Sequence, residues 1–145
     1  MNGSVTFALA GMALLSLAGC GNQHEPKKID VQIAEETLYT ANEERFDYLR
    51  QYQLACDGNE NAIRKLYLFS HRVDAAAAIG HGVALVDLLE RIGEITPARA
   101  AQSLNREDQQ LLTVMLEAGV AYRYQVEPEE FRQRYPRVFT ALNVR

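Results

Sequence analysis

Apolar residues recur along most of this chain every three or four positions, the period of a helix that buries one face, and no convincing strand alternation interrupts them. A first, weaker stripe runs from about Val31 to Ala41 with Ile33, Ala34, Leu38 and Tyr39. The next, from about Glu43 to Ala55, sets Phe46, Leu49, Tyr52, Ala55 and Cys56 along one side, and Asp57, Gly58 and Asn59 end it. Ile63, Leu66, Tyr67 and Ser70 give a third. Asp74 can then cap a long helix from Ala75 to Ile92, whose Ile79, Val83, Leu85, Val86, Leu88, Leu89 and Ile92 leave little of its circumference polar. That helix is expected to be central and buried.

Its small start, Ala75 to Ala78 with Gly80 and Gly82, permits close approach of a neighbouring helix at some cost in helix propensity. Gly93 suits a C-terminal cap, and Thr96 with Pro97 suits an N-cap followed by the first helical position. Asn105 can cap the next helix, where Leu111, Leu112, Met115, Leu116, Ala118, Gly119 and Tyr122 form a broad apolar face. The chain closes on Phe131, Tyr135, Val138, Phe139 and Leu142, with Pro136 either kinking a helix or beginning a new one. These patterns predict an all-α fold over residues 31–145, a single domain built as a compact antiparallel helical bundle or a short stack of helical hairpins. No tetratricopeptide or ankyrin period is present.

Ahead of this body the pattern changes. No Asp, Glu, Lys or Arg occurs from Met1 to His24, and Val5 to Ala18 is almost wholly apolar and small. The run is shorter than the ~20 residues that span a bilayer and no cationic cluster follows it, so it reads as the core of a cleaved signal peptide, residues 1–19. Leu17, Ala18, Gly19 and Cys20 at its end resemble the lipobox of bacterial lipoproteins. Members of that family usually carry Lys or Arg near the start, whereas here the positive charge there is the Met1 amine.

The resemblance implies that Cys20 is diacylated and becomes the first mature residue, anchoring the chain to the membrane with the polypeptide outside the bilayer. Gly21 in place of Asp implies, by the enteric sorting rule, the inner leaflet of the outer membrane, facing the periplasm. Residues 20–30 are polar, contain Pro26 and read as a flexible tether whose r.m.s. span is roughly 17 Å.

With 15 Lys and Arg against 19 Asp and Glu the net charge is −4, all of it in the mature part, and nothing suggests nucleic-acid binding. The charge is uneven. Asp30, Glu35, Glu36, Glu43, Glu44 and Asp47 face only Arg45 in their stretch, whereas Arg132, Arg134, Arg137 and Arg145 share the last stretch with no acid. Glu35, Glu36, Glu43 and Glu44, and Arg132, Arg134 and Arg137, are the candidate partner-binding residues. Cys56 has no partner in its own chain if Cys20 is lipidated, and it is expected as a small buried hydrophobe.

The most suggestive polar set is His71, Asp74, His81, Asp87 and Glu90, but the spacing of its histidines matches no metal or acid–base motif and Asp74 is explained as a cap. Asp87 interrupts the most apolar helix and needs a cation or donor, such as Arg91 or His71. No phosphate loop, nucleophile elbow, dinucleotide fingerprint or other cofactor motif is present. The expected function is therefore a non-enzymatic, membrane-tethered module that binds another envelope protein, as an assembly or accessory factor of an envelope or secretion system. A lipidated immunity protein that neutralises a periplasmic toxin is the alternative, and a cell-envelope enzyme the third class.

Overall fold

A computed structural model describes residues 32–125 and 127–143; the signal segment, Cys20, the tether and Val31 lie outside the described residues. Those described form an all-α fold: α1 (Glu35–Glu43), α2 (Tyr48–Cys56), α3 (Glu60–Phe69), α4 (Ala75–Ile92), α5 (Ile95–Gln102), α6 (Arg106–Tyr124), α7 (Pro128–Arg134) and α8 (Pro136–Ala141). None of these helices is long and apolar enough to cross a membrane.

Polar side chains cap four of the eight helices of the described residues. The side chains of Asp47, Asn59, Asp74 and Asn105 accept the backbone N–H of Arg50, Ala62, Ala77 and Asp108 at 3.2, 3.0, 3.0 and 2.9 Å, each satisfying one of the amides a helix start leaves free. Gly93 closes α4 with φ +74°. Two starts differ from expectation. α2 begins at Tyr48 rather than near Glu43, because Arg45 turns the chain in the left-handed region at φ 53° and Asp47 supplies the cap. α5 follows Glu94, so Thr96 and Pro97 lie within its first turn, where a missing N–H has no helical partner to lose. Of the two roles open to Pro136, it takes the second and opens α8.

The helices α2, α4 and α6 run side by side in one direction. Tyr48 and Tyr52 of α2 meet His81 and Ala84 of α4 in ascending order, and Gly82 and Asp87 of α4 likewise meet Gly119 and Arg123 of α6. The intervening α3 and α5 pack on each other, and α5 packs on α8, giving a second row. The two rows together make a compact all-α bundle.

Gly82 and Gly119 mark the crossing of α4 and α6: a Cβ on either would overlap the other helix's backbone, so the close approach expected of the small residues is realised there. Gly80 does the same for α1, since a Cβ would sit 2.5 Å from Ala34 Cβ and 2.7 Å from Thr37 Oγ1. Thr37 then donates its hydroxyl to the Ala77 carbonyl at 3.0 Å. The core between the rows is filled by Ile63, Leu66, Leu85, Leu88, Leu112, Leu116, Val120 and Val138. Burial of these side chains, at about 1.5–3 kcal/mol each, dominates the favourable side of folding.

α4 is central as expected, yet its Ile79 is 40% exposed, because α1 and α6 flank that helix and leave one strip between them uncovered.

Candidate functional site

The densest polar cluster is inside the protein. His81 is fully buried on α4, with Tyr48 Oη 2.7 Å from its Nδ1 and Ser70 Oγ 3.1 Å from its Nε2. Both hydroxyls can donate or accept, so the neutral imidazole is satisfied at both nitrogens. The rings of Tyr48 and Phe69 stand edge-on to the imidazole at 5.7 and 5.4 Å, and Phe46 stacks on Phe69 at 4.6 Å. Burial pushes the His81 pKa down to about 3, against a smaller opposite pull from the Leu66 carbonyl. Tyr48 and Tyr67 are likewise held protonated by burial. Ser70 and Tyr48 are each only 2% exposed, so this chain of hydroxyl, imidazole and phenol meets no solvent in which a substrate could arrive. Its chemistry is cohesion, tying α2, α3 and α4 together.

The other members of the suggestive set separate. His71 is exposed and its Nε2 lies 2.6 Å from Asp108 Oδ1, far from His81 in role and surroundings. Asp74 is a cap. Asp87 is paired neither with Arg91 nor with His71: its Oδ1 lies 2.9 Å from Arg123 Nε, a cation brought from α6 that no short-range spacing could indicate. That contact is close but not aligned as a hydrogen bond. Burial raises the Asp87 pKa, and Arg123 opposes the rise. Among the described residues no group of three or more His, Cys, Asp or Glu side chains is placed to hold a metal ion. Cys56 is half-buried rather than buried, and desolvation is the main cause that raises its thiol pKa.

The arginines free of acids in sequence are not free of them in space. Arg132 pairs with Glu117 of α6 and, at 3.4 Å, with Glu129. Arg134 lies 3.8 Å from Glu90 and 3.7 Å from Glu130. Arg137 lies 3.6 Å from Glu94, whose other oxygen accepts the Arg137 backbone N–H at 2.9 Å. Glu90 also accepts from the Tyr124 hydroxyl. The expected cationic stripe is thus a belt of alternating charges joining α4, α6, α7 and α8.

The acidic helix α1 is different. Among the described residues Glu35 and Glu36 have no cation within 4.0 Å; Glu44 is 3.8 Å from Arg72, and Glu43 accepts from the Tyr39 hydroxyl at 2.9 Å. Tyr39, expected on the inward stripe, is 66% exposed. The inward face is instead Ile33, Ala34, Thr37 and Ala41, small enough to lie on Gly80. That i, i+4, i+8 run of Ile33, Thr37 and Ala41 was the available signal, masked by a threonine that hydrogen-bonds as it packs. Glu35, Glu36, Tyr39, Thr40, Asp74 and Ala76 line an open hollow of about 440 Å³. Comparison with protein-family models, with curated proteins and with solved structures gives no match for this chain.

Proposed function

We propose that this chain is a protein-binding module, tethered by lipid on Cys20 to the outer membrane on its periplasmic side, that docks another envelope protein on the acidic face of α1. The observation that carries the reading is the contrast in charge compensation: among the described residues Glu35 and Glu36, beside the exposed Tyr39, have no cation within 4.0 Å, whereas Arg132, Arg134 and Arg137 pair with local acids. An exposed tyrosine beside a hollow is the type of anchor that concentrates binding energy, and unpaired carboxylates speed the encounter with a cationic partner. Assembly or accessory work in an envelope or secretion system fits such a module. The same face fits a second reading, a lipidated immunity protein that covers the cationic active site of a periplasmic toxin. The isolated character of His71 and His81 supports a non-enzymatic role over an envelope enzyme.

Affinity capture from envelope extracts tests the reading. Wild-type protein should retain a partner that Tyr39→Ala together with Glu35→Lys and Glu36→Lys loses, while Arg134→Ala keeps it. Retention by the α1 variant would move the docking site elsewhere. A toxin among the retained proteins would select the immunity reading. Incorporation of labelled fatty acid into wild type but not into Cys20→Ser tests the tether independently.

A further inference from the structure

The two rows of helices differ in charge. In α4 and α6, and in α1 packed on α4, acids outnumber cations within each helix, and α2 carries Arg50 alone. The helices α3, α5 and α8 of the second row instead carry Arg64, Lys65, Arg99 and Arg137 against one acid, Glu60. All five of these side chains are exposed. They share one outer surface: Arg99 Nε lies 3.2 Å from Glu60 Oε2, joining α5 to α3, and Arg64 follows Glu60 by one helical turn. Arg99 and Arg137 border a hollow of about 360 Å³ between α5 and α8, whose walls include Ile95, Ala98, Pro136 and Thr140. Ile95 is 61% exposed. Arg99 and Arg137 each have an acid nearby, whereas Arg64 and Lys65 have none within 4.0 Å among the described residues. Cations beside an exposed branched apolar side chain are what a surface needs to rest on anionic lipid, the charges for the head groups and the apolar group for the interface below them.

We propose that the outer surface of α3, α5 and α8 docks on the anionic surface of the bilayer to which the lipid on Cys20 holds the chain. The docking rests on that anchor, which also selects the occupant. Cys20 to Val31 supply twelve residues before Gln32, a reach of at most about 40 Å when fully extended. A domain of this size is roughly 35 Å across, from a radius of gyration near 13 Å, so every face can meet the lipid and the point of attachment does not decide which one does. Charge decides instead, since anionic head groups attract Arg64 and Lys65 and repel Glu35 and Glu36. Confinement at the surface makes the contact effectively intramolecular, so it needs little affinity of its own. An acidic protein would match the same cations but is not held beside them. Docked in this way the chain leaves α1, which packs on α4 of the other row, uncovered for its partner.

The chain contains no tryptophan, so a single introduced one reports its own depth. Full-length protein carrying Ile95→Trp or, as a control, Tyr39→Trp is purified from membranes and returned to vesicles of phosphatidylcholine with about one third phosphatidylglycerol, their acyl chains plain or brominated. Bromine quenches a tryptophan that reaches the acyl boundary. Ile95→Trp should lose about half its emission in the brominated vesicles, and Tyr39→Trp less than about a tenth. Adding Arg64→Gln with Lys65→Gln should lower the ratio of docked to undocked Ile95→Trp protein about tenfold, and omitting phosphatidylglycerol should do the same. Equal quenching of the two tryptophans would overturn the oriented face. Quenching of Ile95→Trp that survives the loss of both cations and of phosphatidylglycerol would overturn recognition by charge. Labelled fatty acid separates the two levels: protein without it fails the anchor and the docking together, whereas acylated protein of unaltered helical circular dichroism whose Ile95→Trp stays unquenched fails the docking alone.

Discussion

The line from Tyr48 through His81 to Ser70 and the arginine belt of α7 and α8 are both polar, both join several helices, and have opposite consequences. The first holds three neutral groups in the core, where each unmade bond would cost a full desolvation penalty. The second spreads charged groups over the surface, where Arg134, Arg137 and their acids are screened by water and each pair contributes about 0–1 kcal/mol. Few buried groups thus matter more to stability than many exposed ones. The belt's consequence is to cancel local charge, whereas Glu35 and Glu36 of α1 have no cation within 4.0 Å among the described residues.

The largest effect should come from breaking the buried line. His81→Leu leaves the hydroxyls of Tyr48 and Ser70 without their partner in the core and should lower stability by about 2–4 kcal/mol, measured by denaturant unfolding. Acid acts on the same group. The folded His81 pKa of about 3 lies below the ordinary 6.5, so the unfolded chain binds the extra proton first as pH falls. Stability from this residue is complete above pH 6.5 and is lost progressively down to pH 3, by roughly 5 kcal/mol at most. In His81→Leu that part of the acid slope should vanish. An unchanged slope would place the acid sensitivity in another group.

Much of this structure is legible in the sequence, and the parts that are not share a cause. The caps at Asp74 and Asn105, the span of α4 and the close approach at its glycines follow from local rules, because their partners lie within a few residues or are any helix at all. What fails is pairing at long range. Asp87 finds Arg123 because α4 and α6 run parallel, and Arg132 finds Glu117 because α7 packs on α6, relations invisible to i, i+4 reasoning. The inward side of α1 is hidden for another reason: Thr37 and Ala41 bury little apolar surface, while Tyr39 and Leu38 dominate a hydrophobicity pattern.

A smaller effect is expected from the belt. Changing Arg132, Arg134 and Arg137 together to Glu replaces attraction to Glu117, Glu90 and Glu94 by repulsion. Stability should fall by about 1–3 kcal/mol at low ionic strength, mostly from Arg132, which is the least exposed of the three. Added salt should recover part of the loss. Partner capture should follow stability and nothing more, so a stably folded triple variant that loses its partner would restore the arginines as a docking surface.

The smallest effect on stability should come from the region with the largest effect on binding. Glu35 and Glu36 stand in the first turn of α1, where carboxylates favour the helix dipole, so reversing both to Lys should cost only about 1 kcal/mol. Capture of a cationic partner should nevertheless fall steeply and lose its dependence on salt, because the reversed charges repel at the distances over which the original pair attracted. The separation of the two readouts is the point of the experiment. If Glu35→Lys with Glu36→Lys destabilises the fold by several kcal/mol, the carboxylates are structural and the contrast with the arginine belt disappears. If stability and capture are both unchanged, the acids are ordinary solvated surface and the partner binds elsewhere.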